Sequence, residues 1–251
     1  MSGVISGNAW RLLPLSCLNG ATQMAIDTAI FHAVECGESL PTLRFYQWNP
    51  IAISLGYHQR NYPSHWNGLT FLDTTVELVR RPTGGRAVLH QGDLTYAVIA
   101  SGFADNRVES YRQICEFLIQ GWRSLSYDLS YGNAGRGYIH NPDCFATATG
   151  ADLVLPAGQK LIGSAQKRSG QTILQHGSMR LTPNPELFEL VFGESDRIFD
   201  CPEIDCVEMP TIDRVMNALI EAAQTCFDAS FSVGSLSDLE ESWIRQNLPG
   251  D

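Results

Sequence analysis

The sequence predicts an α+β fold: a largely antiparallel mixed sheet flanked by helices. Two observations carry this. Strand-like segments come in adjacent runs, broken by single helices rather than in strict β-α-β alternation. The helical segments each show one apolar face, as helices that cover a sheet do. At 251 residues the chain is long enough for a substantial core. No internal repeat or linker divides it, so one domain over 1–251 is expected.

Residues 19–37 read as the first helix, with Ile26, Ile30, Ala33 and Val34 on one face and Gly37 as the stop. Strands follow at 43–48 and 51–55, with Asn49-Pro50 as a turn signal between them. Further strands are expected at 76–80, 86–90 and 93–100, the last two joined through Gln91-Gly92. Residues 108–127 form a long amphipathic helix with Tyr111, Ile114, Leu118, Trp122 and Leu125 on its apolar side. The stretch 129–181 is glycine-rich and strand-like, including 159–165 and 172–181. A short helix at 183–192 would take Thr182 as its N-cap, with Gly193 just past its end. Helices at 211–227 and 238–246 close the chain, the last opened by the capping box Ser237-x-x-Glu240. The segment from about 200 to 251 is therefore expected to be helical.

Composition excludes several classes of function. A net charge of −10 argues against a nucleic-acid binder. No apolar run approaches the roughly 18 residues of a membrane span. The first ten residues lack the basic and apolar regions of a signal peptide. Seven scattered cysteines suit reduced thiols in a cytoplasmic protein, and Cys201 and Cys206 are weak evidence for zinc, so no metal is expected.

Only two of the seventeen Lys and Arg residues are lysines, Lys160 and Lys167. An amine can act as a base, which a guanidinium does not. Lys160 lies between Gly158 and Gly163, and Gly163-Ser164-Ala165 is small enough for an extended ligand to lie against it. The alternative is a protective lysine on an exposed edge strand. Arg80-Arg81-Pro82-Thr83-Gly84-Gly85-Arg86 sets two glycines among arginines, where backbone amides can approach a carboxylate, phosphate or thioester oxygen. A glycine hairpin with solvated arginines accounts for it equally well. Cys144 lies sixteen residues before Lys160. An ammonium beside it would raise its thiolate fraction, whereas a buried structural cysteine is the ordinary alternative. His176, in Leu174-Gln175-His176-Gly177-Ser178, suits a satisfied core histidine more than a base.

Together these segments resemble the biotin/lipoate protein ligase superfamily, and within it the octanoyltransferase branch of the LipM type. The matching pieces are the loop from Arg80 to His90, Asp93-Leu94-Thr95-Tyr96, Cys144-Phe145, the run from Gly158 to Gln166, and 174–178; Met24-Ala25-Ile26-Asp27 fits the family's first helix. The resemblance covers about 10–195. It implies a biotin/lipoate ligase-like catalytic domain with the ligand between the glycine loop and the lysine strand. It also implies transfer of octanoyl from acyl carrier protein, through a thioester on Cys144, to the lysine of a lipoyl carrier domain of the GcvH or E2-subunit kind. In that scheme Lys160 lowers the thiol pKa and takes the proton of the attacking amine. Arg80, Arg81, Gly84, Gly85, Arg86, Gly163, Ser164, Ala165, Gly177 and Ser178 would bind substrate, with His90 and His176 shaping the pocket. No cofactor is needed. The family's proline-serine pair and glutamate after Cys-Phe are replaced in 146–152, where Thr149 and Asp152 keep the chemical type but Ala148 does not keep the proline.

Three alternatives stand beside this reading. An ATP-dependent lipoate–protein ligase would need ATP and Mg and no nucleophilic thiol. An octanoyl amidotransferase between carrier domains would use the same cysteine and lysine. A non-catalytic acyl- or carrier-binding protein would use neither. Because the chain is acidic, docking of acidic carriers calls for a local basic patch, for which Arg80, Arg81, Arg86, Lys167 and Arg168 are the candidates.

Overall fold

A computed structural model describes residues 9–132, 152–193 and 209–248. The described chain runs β1 (Ala9–Leu18), α1 (Gly20–Glu35), β2 (Thr42–Trp48), β3 (Ala52–Leu55), a small hairpin of β4 (Thr70–Phe71) and β5 (Thr74–Thr75), then β6 (Glu77–Arg80), β7 (Val88–His90), β8 (Asp93–Ser101) and α2 (Arg107–Ser124). It continues through β9 (Ser130–Tyr131), β10 (Asp152–Val154), β11 (Lys160–Ser169), β12 (Thr172–Arg180), α3 (Pro185–Phe192), α4 (Ile212–Cys226), β13 (Ser230–Val233) and α5 (Asp238–Asn247).

The main sheet has eight strands in the order β13-β1-β2-β8-β12-β11-β10-β9. Its pairs are antiparallel except at one edge, where β1 runs parallel to both β2 and β13. Helices cover both faces, and the central strands are buried accordingly. On β8, Leu94, Tyr96, Val98 and Ala100 point into a core with α2 and α4, while Ala97 and Ile99 join α1 and α5 on the other face. This is the period-two alternation of a strand, with both faces apolar. The first core holds Trp10 and Trp122, both fully buried. Each such side chain stabilises the fold by roughly 2–3 kcal/mol through removal of apolar area from water.

A second, three-stranded sheet, β6-β3-β7, packs its own core of Ile53, Leu55, Trp66 and Leu89 against α3. The strands flanking Asn49-Pro50 therefore do not form a hairpin; the chain leaves one sheet for the other there. The same holds at Gln91-Gly92, between β7 and β8.

Helix ends follow their caps. Asn19 accepts from the Thr22 N–H, Asn106 from Val108 and Glu109, and Thr211 from Arg214. The capping box at Ser237 and Glu240 is present. The α3 cap differs from the sequence expectation. Asn184, not Thr182, accepts from the Leu187 N–H, and Pro185 takes the first helical position, where its missing donor costs nothing. The C-terminal segment is also not purely helical, because β13 extends the main sheet. β1, whose Pro14 weakens the strand signal, likewise had no counterpart in the sequence reading. Its register with β2 shifts between Leu13 and Ser16, around the proline that cannot donate to the ladder.

Candidate active site

A cavity opens where β11 and β12 meet the loop between β6 and β7. Its lining includes Gly163, Ser164, Ala165, His176, Gly177 and Ser178 from the two strands, and Arg81, Gly85 and His90 from the loop and its strand. Met24, Tyr46, Trp48 and Val88 supply apolar and aromatic wall, and Ser54, Thr95 and Asp152 complete it. The two sequence segments that looked chemically distinct, the glycine loop and the lysine strand, thus lie on one cavity.

The glycine loop is held from beneath. Arg81 is buried, and its guanidinium donates to the carbonyls of Ser54 (2.8 Å), Gly84 (2.8 Å) and Arg86 (2.6 Å). Arg81 therefore does not belong to a surface basic patch; it ties the loop to β3. Arg80 is exposed, and its Nη1 donates to the carbonyls of Gly56 (2.6 Å) and Gln59 (2.8 Å). The backbone at Gly85 has φ +94°, and a Cβ placed on the neighbouring Gly56 would lie 1.9 Å from the Gly85 carbonyl oxygen. Only glycine fits both requirements. Arg86 is half-buried, and neither it nor Gly84 lines the cavity.

Two buried carboxylates organise the polar wall. Asp27, on α1, accepts from Arg44 Nη1 (3.1 Å) and from the Tyr46 hydroxyl (2.9 Å). Its Oδ2 also lies 2.8 Å from His176 Nδ1. With Nδ1–H directed at the carboxylate, His176 Nε2 is left to accept from Thr83 Oγ1, 2.6 Å away in the glycine loop. Arg44 Nη2 additionally contacts Gln23 Oε1. Burial, and next the Asp27 charge, push the Tyr46 hydroxyl well above its ordinary pKa.

Asp93 holds the second cluster. It accepts from Ser178 Oγ (2.6 Å) and Thr95 Oγ1 (3.2 Å), and lies 2.8 Å from His90 Nδ1. Burial lowers the pKa of His90. The neutral ring then accepts from Ser54 Oγ at Nε2 (2.9 Å) and stacks on Trp48 at 3.8 Å. Both histidines thus have both ring nitrogens engaged, which suits shaping the pocket rather than carrying protons.

The lysine strand is not an edge. β11 lies between β12 and β10, and Lys160 is only 4% exposed. Its Nζ is 2.7 Å from Asp152 Oδ1, across the β10–β11 pair. Lys160 does not itself line the cavity, but Asp152 does. Ser164 Oγ contacts the Tyr96 hydroxyl (2.8 Å), which accepts from Gln175 Nε2 (3.1 Å). Gly177 packs so tightly here that a Cβ would lie 2.4 Å from Ser164 Oγ and 2.7 Å from Tyr96. Cys144 lies outside the described residues. Among the described residues no cluster of three or more His, Cys, Asp or Glu could hold a metal ion.

Lys167 and Arg168 do not join the loop arginines in one patch. As neighbours on a strand they point to opposite faces. Lys167 is half-buried with its Nζ 4.8 Å from the centre of the Phe31 ring on α1. Arg168 donates to the Ala104 carbonyl (2.5 Å) ahead of α2. Sequence reasoning also missed Arg44, Tyr46, Trp48, Ser54 and Asp93 as site residues. Two of them carried a readable signal: Asp93 lies in a segment that matches the family, and Arg44 is the one charge in its strand.

This geometry agrees with comparison to known proteins. The model of the lipoyl protein ligase A/B catalytic domain matches residues 19–223. An octanoyltransferase LipM of Kyrpidia tusciae is 40% identical over 203 residues, 76% of this chain and 73% of that protein. One of Clostridioides difficile is 31% identical over 95% of this chain and 94% of its own. Among solved structures, a bipartite lipoate protein ligase of Thermoplasma acidophilum, studied with its E2 lipoyl domain, superposes with a TM-score of 0.73 at 25% identity, covering 96% of this chain and 92% of that one. The chain belongs to the lipoyl protein ligase A/B catalytic domain family, and within it to the LipM octanoyltransferases.

Proposed function

We propose that this acyltransferase of lipoate biosynthesis moves octanoyl from acyl carrier protein to the lysine of a lipoyl carrier domain through a thioester on Cys144. In the first step the Cys144 sulfur attacks the donor thioester carbonyl, and the carrier thiol leaves with a proton. In the second, the target amine attacks the acyl-enzyme, an amide forms, and the Cys144 thiolate leaves. The observation that carries the reading is Lys160: buried, ion-paired to a residue of the cavity wall, and eight residues beyond that partner in sequence. Holding an amine at this place costs desolvation, which a merely structural position could avoid with an apolar side chain. As an ammonium Lys160 favours the thiolate; once it has given its proton to the departing carrier thiol, its free amine can receive the proton of the attacking amine. Met24, Trp48 and Val88 suit an aliphatic chain, and the amides near Gly85 and Gly163 suit the oxyanion. The scheme calls for no cofactor.

Intact-mass spectrometry after mixing with octanoyl carrier protein, without ATP, tests this. An octanoyl adduct on the wild type that is lost in Cys144→Ser is the expected result. No adduct, with ATP-dependent labelling of a lipoyl domain instead, would support ligation. Lys160→Arg keeps the charge but should lose transfer to the amine; full transfer by that variant would remove the base role.

A further inference from the structure

Beside the cavity lies a second groove, which shares Met24 and Arg81 with it. Its near wall is α1 and the glycine loop; its far wall is Trp243, Asn247 and Leu248 at the C-terminal end of the described chain. That far wall falls outside the family-matched span of 19–223. Tyr57 and Arg80 stand exposed at its rim, and Trp243 is half-buried. The chain has a net charge of −10, yet among the described residues this groove is lined by no carboxylate, and the exposed Arg80 stands beside the buried Arg81. α5 is firmly placed there: Glu240 accepts from Arg11 at 2.7 and 2.6 Å and from Ser39 at 3.0 Å, joining the helix to β1 and to the turn after α1.

We infer that this groove, with α5 as its outer wall, seats the phosphopantetheine arm of the octanoyl donor. The inference rests on the transferase reading above and adds where the donor enters. A pantetheine arm is a long, slender chain with amides along it and a phosphodiester at its far end. Such an arm needs an extended channel that leads into the acyl cavity, apolar and aromatic flanks, amide partners such as Asn247, and a cation for the phosphate, here Arg80. An acceptor lysine is far shorter and needs no such channel. The exposed Arg80, with no carboxylate among the described residues lining the groove, favours an anionic guest on a surface whose overall charge would repel an acidic carrier.

The test compares two octanoyl donors in single-turnover acylation: octanoyl carrier protein, and the N-acetylcysteamine thioester, which lacks the phosphate and the outer arm. Trp243→Ala and Asn247→Asp should each slow acylation by the carrier about tenfold and leave the truncated donor within about twofold of wild type. Trp243→Phe should restore most of the carrier rate. Equal losses with both donors, or no loss with either, would overturn the inference. Wild type that forms no adduct from either donor would overturn the transferase reading itself, and the assigned occupant with it. Thermal melts of each variant identify any that fail to fold, and Asn247→Asp, on an exposed position, keeps the comparison available if Trp243→Ala is such a case.

Discussion

Asp27 offers the sharpest test of how the site is built. Its carboxylate is fully buried and faces the Arg44 guanidinium, the Tyr46 hydroxyl and the His176 ring, all within 3.1 Å. Arg44 is itself 1% exposed, so Asp27→Leu would strand a cation in the core. Breaking a buried pair by removing one partner costs about 3–5 kcal/mol. For a chain of this size that corresponds to roughly 6–20 °C in Tm. The double variant Asp27→Leu/Arg44→Leu should be more stable than Asp27→Leu alone, because it removes the stranded charge as well. Urea denaturation of the wild type, both singles and the double measures the coupling. Asp27→Leu costing under about 1 kcal/mol, or a double variant showing the plain sum of two losses, would refute the network as described. A second readout is local: loss of Asp27 frees His176, which holds Thr83 and hence the glycine loop, so octanoyl transfer should fall even below the melting transition.

Three further outcomes follow from the same geometry. Gly177→Ala drives a methyl into Ser164 and Tyr96 and should cost about 1–3 kcal/mol by overpacking, measured by denaturant midpoint; wild-type stability would show that the strands separate easily there. Burial alone would raise the pKa of Glu240, but its bonds to Arg11 and Ser237 overcome this and hold the carboxyl below its ordinary value of 4.5. The resulting stability is present above that value and is lost as pH falls through the lower folded one, so Glu240→Gln should be less stable at pH 7 and show a flatter decline in acid. Burial pushes the Cys115 thiol up to about 12, so iodoacetamide should label the exposed Cys17 and Cys36 in the native protein while peptide mapping finds Cys115 unmodified.

Local chemistry made much of the architecture legible in advance. Caps at Asn19, Thr211 and Ser237 act within a few residues of themselves, so the helices they begin could be placed without knowing the fold. The strand at 93–101 reads apolar on both faces because helices cover both, and the long run of apolar residues records that. The strands β1 and β13, at one end of the main sheet, left little pattern, since one carries Pro14 and both expose much of their length; only their pairing makes them strands.

For the site, the sequence by itself determined the residue types: a glycine loop, one strand that keeps a lysine, and a cysteine upstream of it. It could not show that Arg81 is a buried clamp while Arg80 is exposed, because one step along an extended chain turns a side chain to the other face. The partners Asp27–His176–Thr83 and Lys160–Asp152 were equally hidden. The first joins residues as much as 149 positions apart, and such contacts exist only once the sheet has set its strand order. Tertiary structure alone decided that the C-terminal helix packs on α1 and walls the groove next to the cavity, since nothing in its own residues names the surface against which its apolar side comes to rest.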